Sequence, residues 1–171
     1  MNNSSKSNAE KVATIVAAAG GKLVGRTRLQ KLAYLLELAG LGEGFQFLYR
    51  HYGPYSEELA LATRDATLMG VLEETENPAA WGGTYSIYKT SHTATDAALL
   101  SFAKIAADAN AVELELAATA AFLSQEGNAD PWDETARRKS NKADAGRLQK
   151  AKELYRKFAQ VNTPTALPAI L

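Results

Sequence analysis

Three features of the sequence predict a mainly α-helical fold with a small β component. Apolar stripes recur at helical spacing behind capping residues, two stretches alternate or pair like short strands, and the second half is alanine-rich and helical. Over residues 7–92 the order helix, helix, strand, helix and hairpin predicts a winged-helix-like core with an extra strand. A C-terminal helical bundle over 93–160 completes one expected domain, 7–160, flanked by a disordered stretch (1–6) and an extended tail (161–171).

The elements follow from local chemistry. Ser7 and Glu10 form an S-x-x-E capping box, and Val12, Ile15, Val16 and Ala19 give one apolar face before Gly20-Gly21 stops the helix. Thr27 and Gln30 repeat the box spacing ahead of Leu29, Leu32, Ala33 and Leu36, with Gly40 as the stop. Phe45 to Tyr52 alternates and predicts a strand covered on both sides, ended by Pro54, which has no amide to donate. Ser56 caps a third helix, whose Glu57 and Glu58 suit its positive end. Val71–Thr75 and Thr84–Thr90 predict a hairpin whose loop holds Asn77-Pro78 and Gly82-Gly83. Helices are expected at 95–107, 111–125 and 144–160. Between the last two, Pro131-Trp132 marks a helix start or an anchor.

Composition narrows the classes of function. The chain has 171 residues, 46% apolar and 22% charged, which suits a globular protein with a real core. Nineteen basic residues balance nineteen acidic ones, so no overall field selects nucleic acid or a membrane. The balance is uneven along the chain: residues 1–130 hold ten basic against fifteen acidic groups, and 131–171 hold nine against four. Without cysteine there are no disulfides, thiol nucleophiles or thiolate metal sites. With a polar start and no long apolar run, the expected location is the cytoplasm, without membrane contact.

Catalytic signatures are lacking: no phosphate-cradling glycine loop, no H-E-x-x-H and no G-x-S-x-G. His51 and His92 lie far apart and read first as structural histidines, with a ligand or base role for His51 as the alternative. Glu113 and Glu115 stand two apart on a helix and cannot share a proton. No metal and no cofactor is expected.

For DNA, the third helix would be the reading element. It offers Glu57, Glu58 and Asp65 against Arg64, and the hairpin opens with Glu73, Glu74 and Glu76, all repelling phosphate. Arg26, Arg28 and Lys31, or the basic run Arg137, Arg138, Lys139, Lys142, Arg147, Lys150, Lys152, Arg156 and Lys157, remain as alternative contacts. That run reads either as a solvated face paired with the acidic N-terminal part, or as an interface centred on Arg137, Arg138, Lys142, Arg147 and Lys150. Trp81 and Trp132 read as anchors.

The pieces Leu29-Gln30-Lys31-Leu32 with Tyr34, and Tyr52-Gly53-Pro54-Tyr55-Ser56, carry a resemblance. Over residues 22–75 the chain resembles the Panacea-domain proteins (the SocA-like antitoxins) and the related, uncharacterised YwgA-like proteins of bacteria and archaea, and is nearer the latter. The resemblance implies a mostly helical protein that acts by binding. Panacea-type antitoxins neutralise toxins by direct contact, and a SocA-like member delivers its toxin to a protease as an adaptor.

Two readings of the motif stay open. In one it only determines the fold: Lys31 meets a carboxylate, Tyr34 packs, and Gly53-Pro54 turns the chain. In the other, Arg28, Lys31, Tyr34, Arg50, His51, Tyr52 and Tyr55 line a polar groove for an acidic peptide or nucleotide-like ligand. The expected function is a non-enzymatic protein-binding module, antitoxin-like or an adaptor of a toxin–antitoxin or phage-defence system, with a protein partner encoded nearby. The alternatives are a winged-helix DNA-binding regulator and a small-ligand or enzymatic role at Tyr52–Tyr55.

Overall fold

In a computed structural model that describes residues 6–144 and 146–170, the chain is mainly helical with two small antiparallel sheets. The stretch expected to be disordered lies outside the described residues except for Lys6, which pairs with Glu43 at 3.1 Å. Helix α1 (Asn8–Ala18) begins as its box predicts, the Ser7 hydroxyl accepting the Glu10 N–H at 3.2 Å. A three-residue strand that the sequence did not signal, β1 (Lys22–Val24), follows the glycines.

Helix α2 spans Arg26–Leu38, and its start corrects the expected second capping box. Gly25, at φ +99°, takes the cap position, which leaves Thr27 inside the first turn. Gln30 turns inward instead, and its amide donates to the Ser56 carbonyl at 3.0 Å and accepts the Ser56 N–H at 2.8 Å.

The strand expected at Phe45–Tyr52 is much shorter. The Glu37 carboxylate accepts the Gly44 and Phe45 N–H groups at 2.7 and 3.1 Å, which holds that segment out of extended pairing. Only β2 (Leu48–Arg50) forms, and it pairs with β3 (Gly53–Tyr55) across a turn at His51-Tyr52. Pro54 therefore does not end the strand but belongs to its partner. It lies opposite Tyr49, at a position between the hydrogen-bonded pairs of an antiparallel ladder, where no donor is required.

Ser56 caps α3 (Glu57–Leu68), accepting the Leu59 N–H at 3.0 Å. The predicted hairpin forms from β4 (Glu73–Pro78) and β5 (Thr84–Lys89), with its first strand shifted along the chain, so that Asn77 and Pro78, expected in the loop, pair with Tyr85 and Thr84. Strand β5 is central, in the order β1-β5-β4, with Ile87 opposite both Val24 and Thr75. Its Tyr88 is 1% exposed and closes the sheet against the core.

Four helices follow: α4 (Ala97–Asp108), α5 (Ala111–Gln125), α6 (Pro131–Arg138) and α7 (Arg147–Ala159). Asp96, Asn110 and Asp130 cap the first three through their side chains. Helix α5 is the axis: residues Leu114 to Ala121 are all buried, and it packs against α2, α6, α7 and β3. Its alanines let these neighbours approach closely. Phe102 of α4 and Phe158 of α7 meet behind it with ring centroids 4.7 Å apart, and each such ring contributes about 1.5–3 kcal/mol by leaving water. Trp132 anchors α6 edge-on against Tyr155. The extended tail docks on the domain: the Thr165 N–H donates to the Ala39 carbonyl at 3.0 Å and the Tyr155 hydroxyl to the Pro168 carbonyl.

Gly53 stands very close to α5. Gly53 has φ +87°, and a Cβ there would stand 2.4 Å from the Thr119 hydroxyl. Gly53→Ala is therefore expected to destabilise the protein by at least about 1–2 kcal/mol from backbone strain alone. The clash adds to this, and Thr119→Ala should relieve that second part only. A double-mutant cycle by urea denaturation measures both, and a Gly53→Ala protein as stable as wild type would refute the tight approach.

Candidate functional site

Two charged residues sit in otherwise apolar helical runs: Lys31 in α2 and Glu115 in α5. Both are buried, at 1% and 2% exposure, where an unpaired charge is costly. Lys31 is satisfied from strand β3, and Glu115 from the segment at the end of α6. Lys31 Nζ donates to the Pro54 carbonyl at 2.7 Å. Glu115 accepts Lys142 Nζ on both oxygens at 3.1 and 2.9 Å, and Lys139 Nζ lies 3.6 Å from Oε2. Lys139, just beyond α6 and only 4% exposed, also donates to the His51 carbonyl at 2.9 Å.

One carboxylate thus serves a group of ammonium ions. Burial is the main force that lowers the Lys31 pKa to about 7; Glu115 opposes it, and repulsion from Lys139 and Lys142 adds to it. Burial likewise lowers Lys139, against the pull of Glu115.

These contacts fix the turn by its backbone. Lys139 holds the His51 carbonyl within it and Lys31 the Pro54 carbonyl after it, while Gln30 clamps Ser56 in both directions. Two cation–π contacts add to the grip, with Lys142 Nζ 4.7 Å from the Tyr52 ring centroid and the Arg138 guanidinium 5.0 Å from that of Tyr49. Glu134 takes both Arg137 and Arg138, the latter at 2.6 Å. Two sets of residues proposed separately from the sequence, the turn and the start of the basic run, therefore share one surface.

The remaining expected site residues are dispersed. Arg28 points away from the turn, donating to the Val24 carbonyl and, at the end of α4, to those of Ala106 and Ala109. Its guanidinium meets the orphan carbonyls that a helix C-terminus presents. Tyr34 is buried between Phe47 and Phe122, at centroid distances of 5.3 and 5.7 Å. The polar groove is accordingly closed: Lys31 and Tyr34 line no open cleft, and Tyr55 is half-buried in β3. Arg50, His51 and Tyr52 face solvent, Tyr52 at 58% exposure. In the basic run, Arg147 bonds Asn110 Oδ1 at 2.8 Å, supporting the cap of α5, and Lys150 is exposed on α7. His92 is exposed beyond β5.

Sequence reasoning missed the joint role of Glu115, Lys139 and Gln30. The available signal was a lone charge inside an apolar helical run, Glu115 in LELAATAA and Lys31 in LQKLAYLL. Among the described residues no group of three or more His, Asp or Glu could hold a metal, and no helix is long and apolar enough to cross a membrane.

Two outcomes are expected from this cluster. A lysine that is depressed when folded binds fewer protons in the native than in the unfolded state between about pH 7 and its unfolded value of 10.5. Its contribution to stability therefore rises with pH across that window. The melting temperature of wild type should gain more between pH 7 and 9.5 than that of Lys31→Met, and equal gains would contradict the assignment. Glu115→Gln strands Lys139 and Lys142 and is expected to cost about 3–5 kcal/mol, read by urea denaturation.

Comparison with known proteins gives one distant likeness. Residues of this chain are 33% identical to the uncharacterized protein YwgA of Bacillus subtilis (strain 168) over 85 residues, which is 50% of this chain and 49% of that protein. The chain thus spans about half the length of this relative, whose own function is unassigned. No family model matches the chain, and no solved structure does. What is supported is a likeness to YwgA over half the chain.

Proposed function

We propose that this chain is a non-enzymatic protein-binding module, an antitoxin-like or adaptor component of a toxin–antitoxin or phage-defence system acting in the cytoplasm. One observation carries the reading. Buried lysines hold the backbone of the β2–β3 turn while Arg50, His51 and Tyr52, its own side chains, are turned outward. A turn held this rigidly loses little conformational freedom on meeting a partner, which is how a preorganised surface gains affinity. The resemblance of the Leu29–Tyr34 and Tyr52–Ser56 pieces to Panacea-domain proteins points the same way.

The DNA-binding alternative has support in the element order and in the sheet order β1-β5-β4, both of which suit a winged helix. Its charges weigh against it. Glu57, Glu58 and Asp65 are exposed on α3 beside Arg64, and Arg26 is engaged by Glu76 at 2.8 Å. A small-ligand role at Tyr52–Tyr55 is disfavoured by the closed packing around Lys31.

Co-expression with the products of adjacent genes tests the reading. The expected outcome is co-purification with one of them and suppression of its toxicity or assembly with it. Arg50→Ala with His51→Ala, both exposed, should weaken that complex at least about tenfold while the protein keeps its cooperative melting. Failure to bind or neutralise any neighbour would sink the proposal.

A further inference from the structure

We infer that the β2–β3 turn and the end of α6 together form a docking surface for an acidic protein segment, one that carries carboxylates next to an apolar or aromatic side chain. This rests on the protein-binding reading above and names the chemistry of the partner.

Charge argues for it first. Arg50, Arg138, Lys139 and Lys142 lie at the turn, with Arg137 joined to Arg138 through Glu134, and Glu115 and Glu134 are the carboxylates that meet them. Asp133, in the first turn of α6, is the other acid on that helix. Glu115 is 3% exposed in its side chain and spent on Lys139 and Lys142, and Glu134, at 11%, is shared by two arginines. The outward-facing cations are therefore only partly neutralised from within. An incoming carboxylate would supply the missing charge.

Accessibility argues for it next. The side chain of Arg137 is 76% exposed and that of Arg138 41%, and Arg50 is exposed as well. Guanidinium groups favour carboxylates because their planar fork can donate two parallel hydrogen bonds. Leu48, 63% exposed, and the free side of Tyr52 supply apolar surface beside them. Single-stranded nucleic acid is the competing class, since basic and aromatic groups also suit bases. It needs open ring faces in series, however, and here Lys142 covers a face of Tyr52 while Arg138 covers one of Tyr49. The observations favour protein.

Fluorescence anisotropy with three probes tests the inference: a labelled poly(Glu,Tyr) copolymer, a poly(Lys,Tyr) copolymer and oligothymidylate. The expected result is salt-sensitive binding of poly(Glu,Tyr) alone, weakened about tenfold or more by Arg50→Glu with Arg137→Glu. Both positions are exposed, so the variant should keep a cooperative melting transition, lowered only by the loss of the surface Arg137–Glu134 pair. Arg50→Lys with Arg137→Lys should retain part of the affinity, which separates charge from shape. Tighter binding of oligothymidylate, equal binding of the basic copolymer, no binding of poly(Glu,Tyr), or indifference to the charge reversal would each overturn the inference. If a neighbouring gene product binds but ignores the reversal, the protein-binding reading survives and the acidic partner does not. If the copolymer binds as expected but no neighbour does, the acidic docking surface stands and the antitoxin-like or adaptor role does not.

Discussion

The buried carboxylate of Glu115 is the constraint on which the rest of this structure depends. It lies on α5, the most enclosed helix, and it is the counter-charge for the lysines that reach in beside α6. Those lysines, with Lys31 of α2, connect three helices to one short turn. Each partner would be costly alone, because an ammonium or carboxylate in a low-dielectric interior loses several kcal/mol of hydration. Together they trade that loss for hydrogen bonds to backbone carbonyls that no strand or helix satisfies. The charges therefore fix where the turn sits, more than they add to stability.

A design of this kind explains why the polar residues of the motif behave so differently from one another. Lys31, Gln30 and Tyr34 share one helix with Arg28, yet they face different tasks. Lys31 and Gln30 hold the turn and the start of α3, Tyr34 fills the aromatic space beside Phe47 and Phe122, and Arg28 closes the end of α4. Helical spacing turns Arg28 toward α4, while Gln30 and Lys31, side by side, reach successive parts of the segment Pro54–Ser56. What remains for the outside is the turn itself, with Arg50, His51 and Tyr52, and the arginines of α6.

Much of this architecture was legible in the sequence, and the exceptions have physical causes. Ser7, Ser56 and the alanine-rich run of α5 announced their helices through caps and periodicity. Thr27 and Gln30 misled because their spacing is the same whether Thr27 caps the helix or lies one turn inside it, and Gly25 with its positive φ decided between the two. Strand β1, three residues between glycines, is too short to show a period. Pro54 looked like a stop because the missing amide usually breaks a ladder; its place in the register makes the loss harmless. At the site, the surface residues of the turn could be named from sequence, but the joining of turn and α6 could not. It depends on contacts such as Lys139 to His51, between residues far apart in the chain, and a charged run reads by default as solvated.

The docked tail has a kinetic consequence. The amide of Thr165 bonds the carbonyl of Ala39 at the end of α2, and the segment packs beside Gly40. This contact joins segments 126 residues apart (Ala39 to Thr165), so it is expected to form late in folding, after the more local contacts. Until residue 165 has been synthesised, the end of α2 stands open to water. An early folding nucleus must then be sought among α1, α2 and the β1-β5-β4 sheet, with the tail as the last piece to settle.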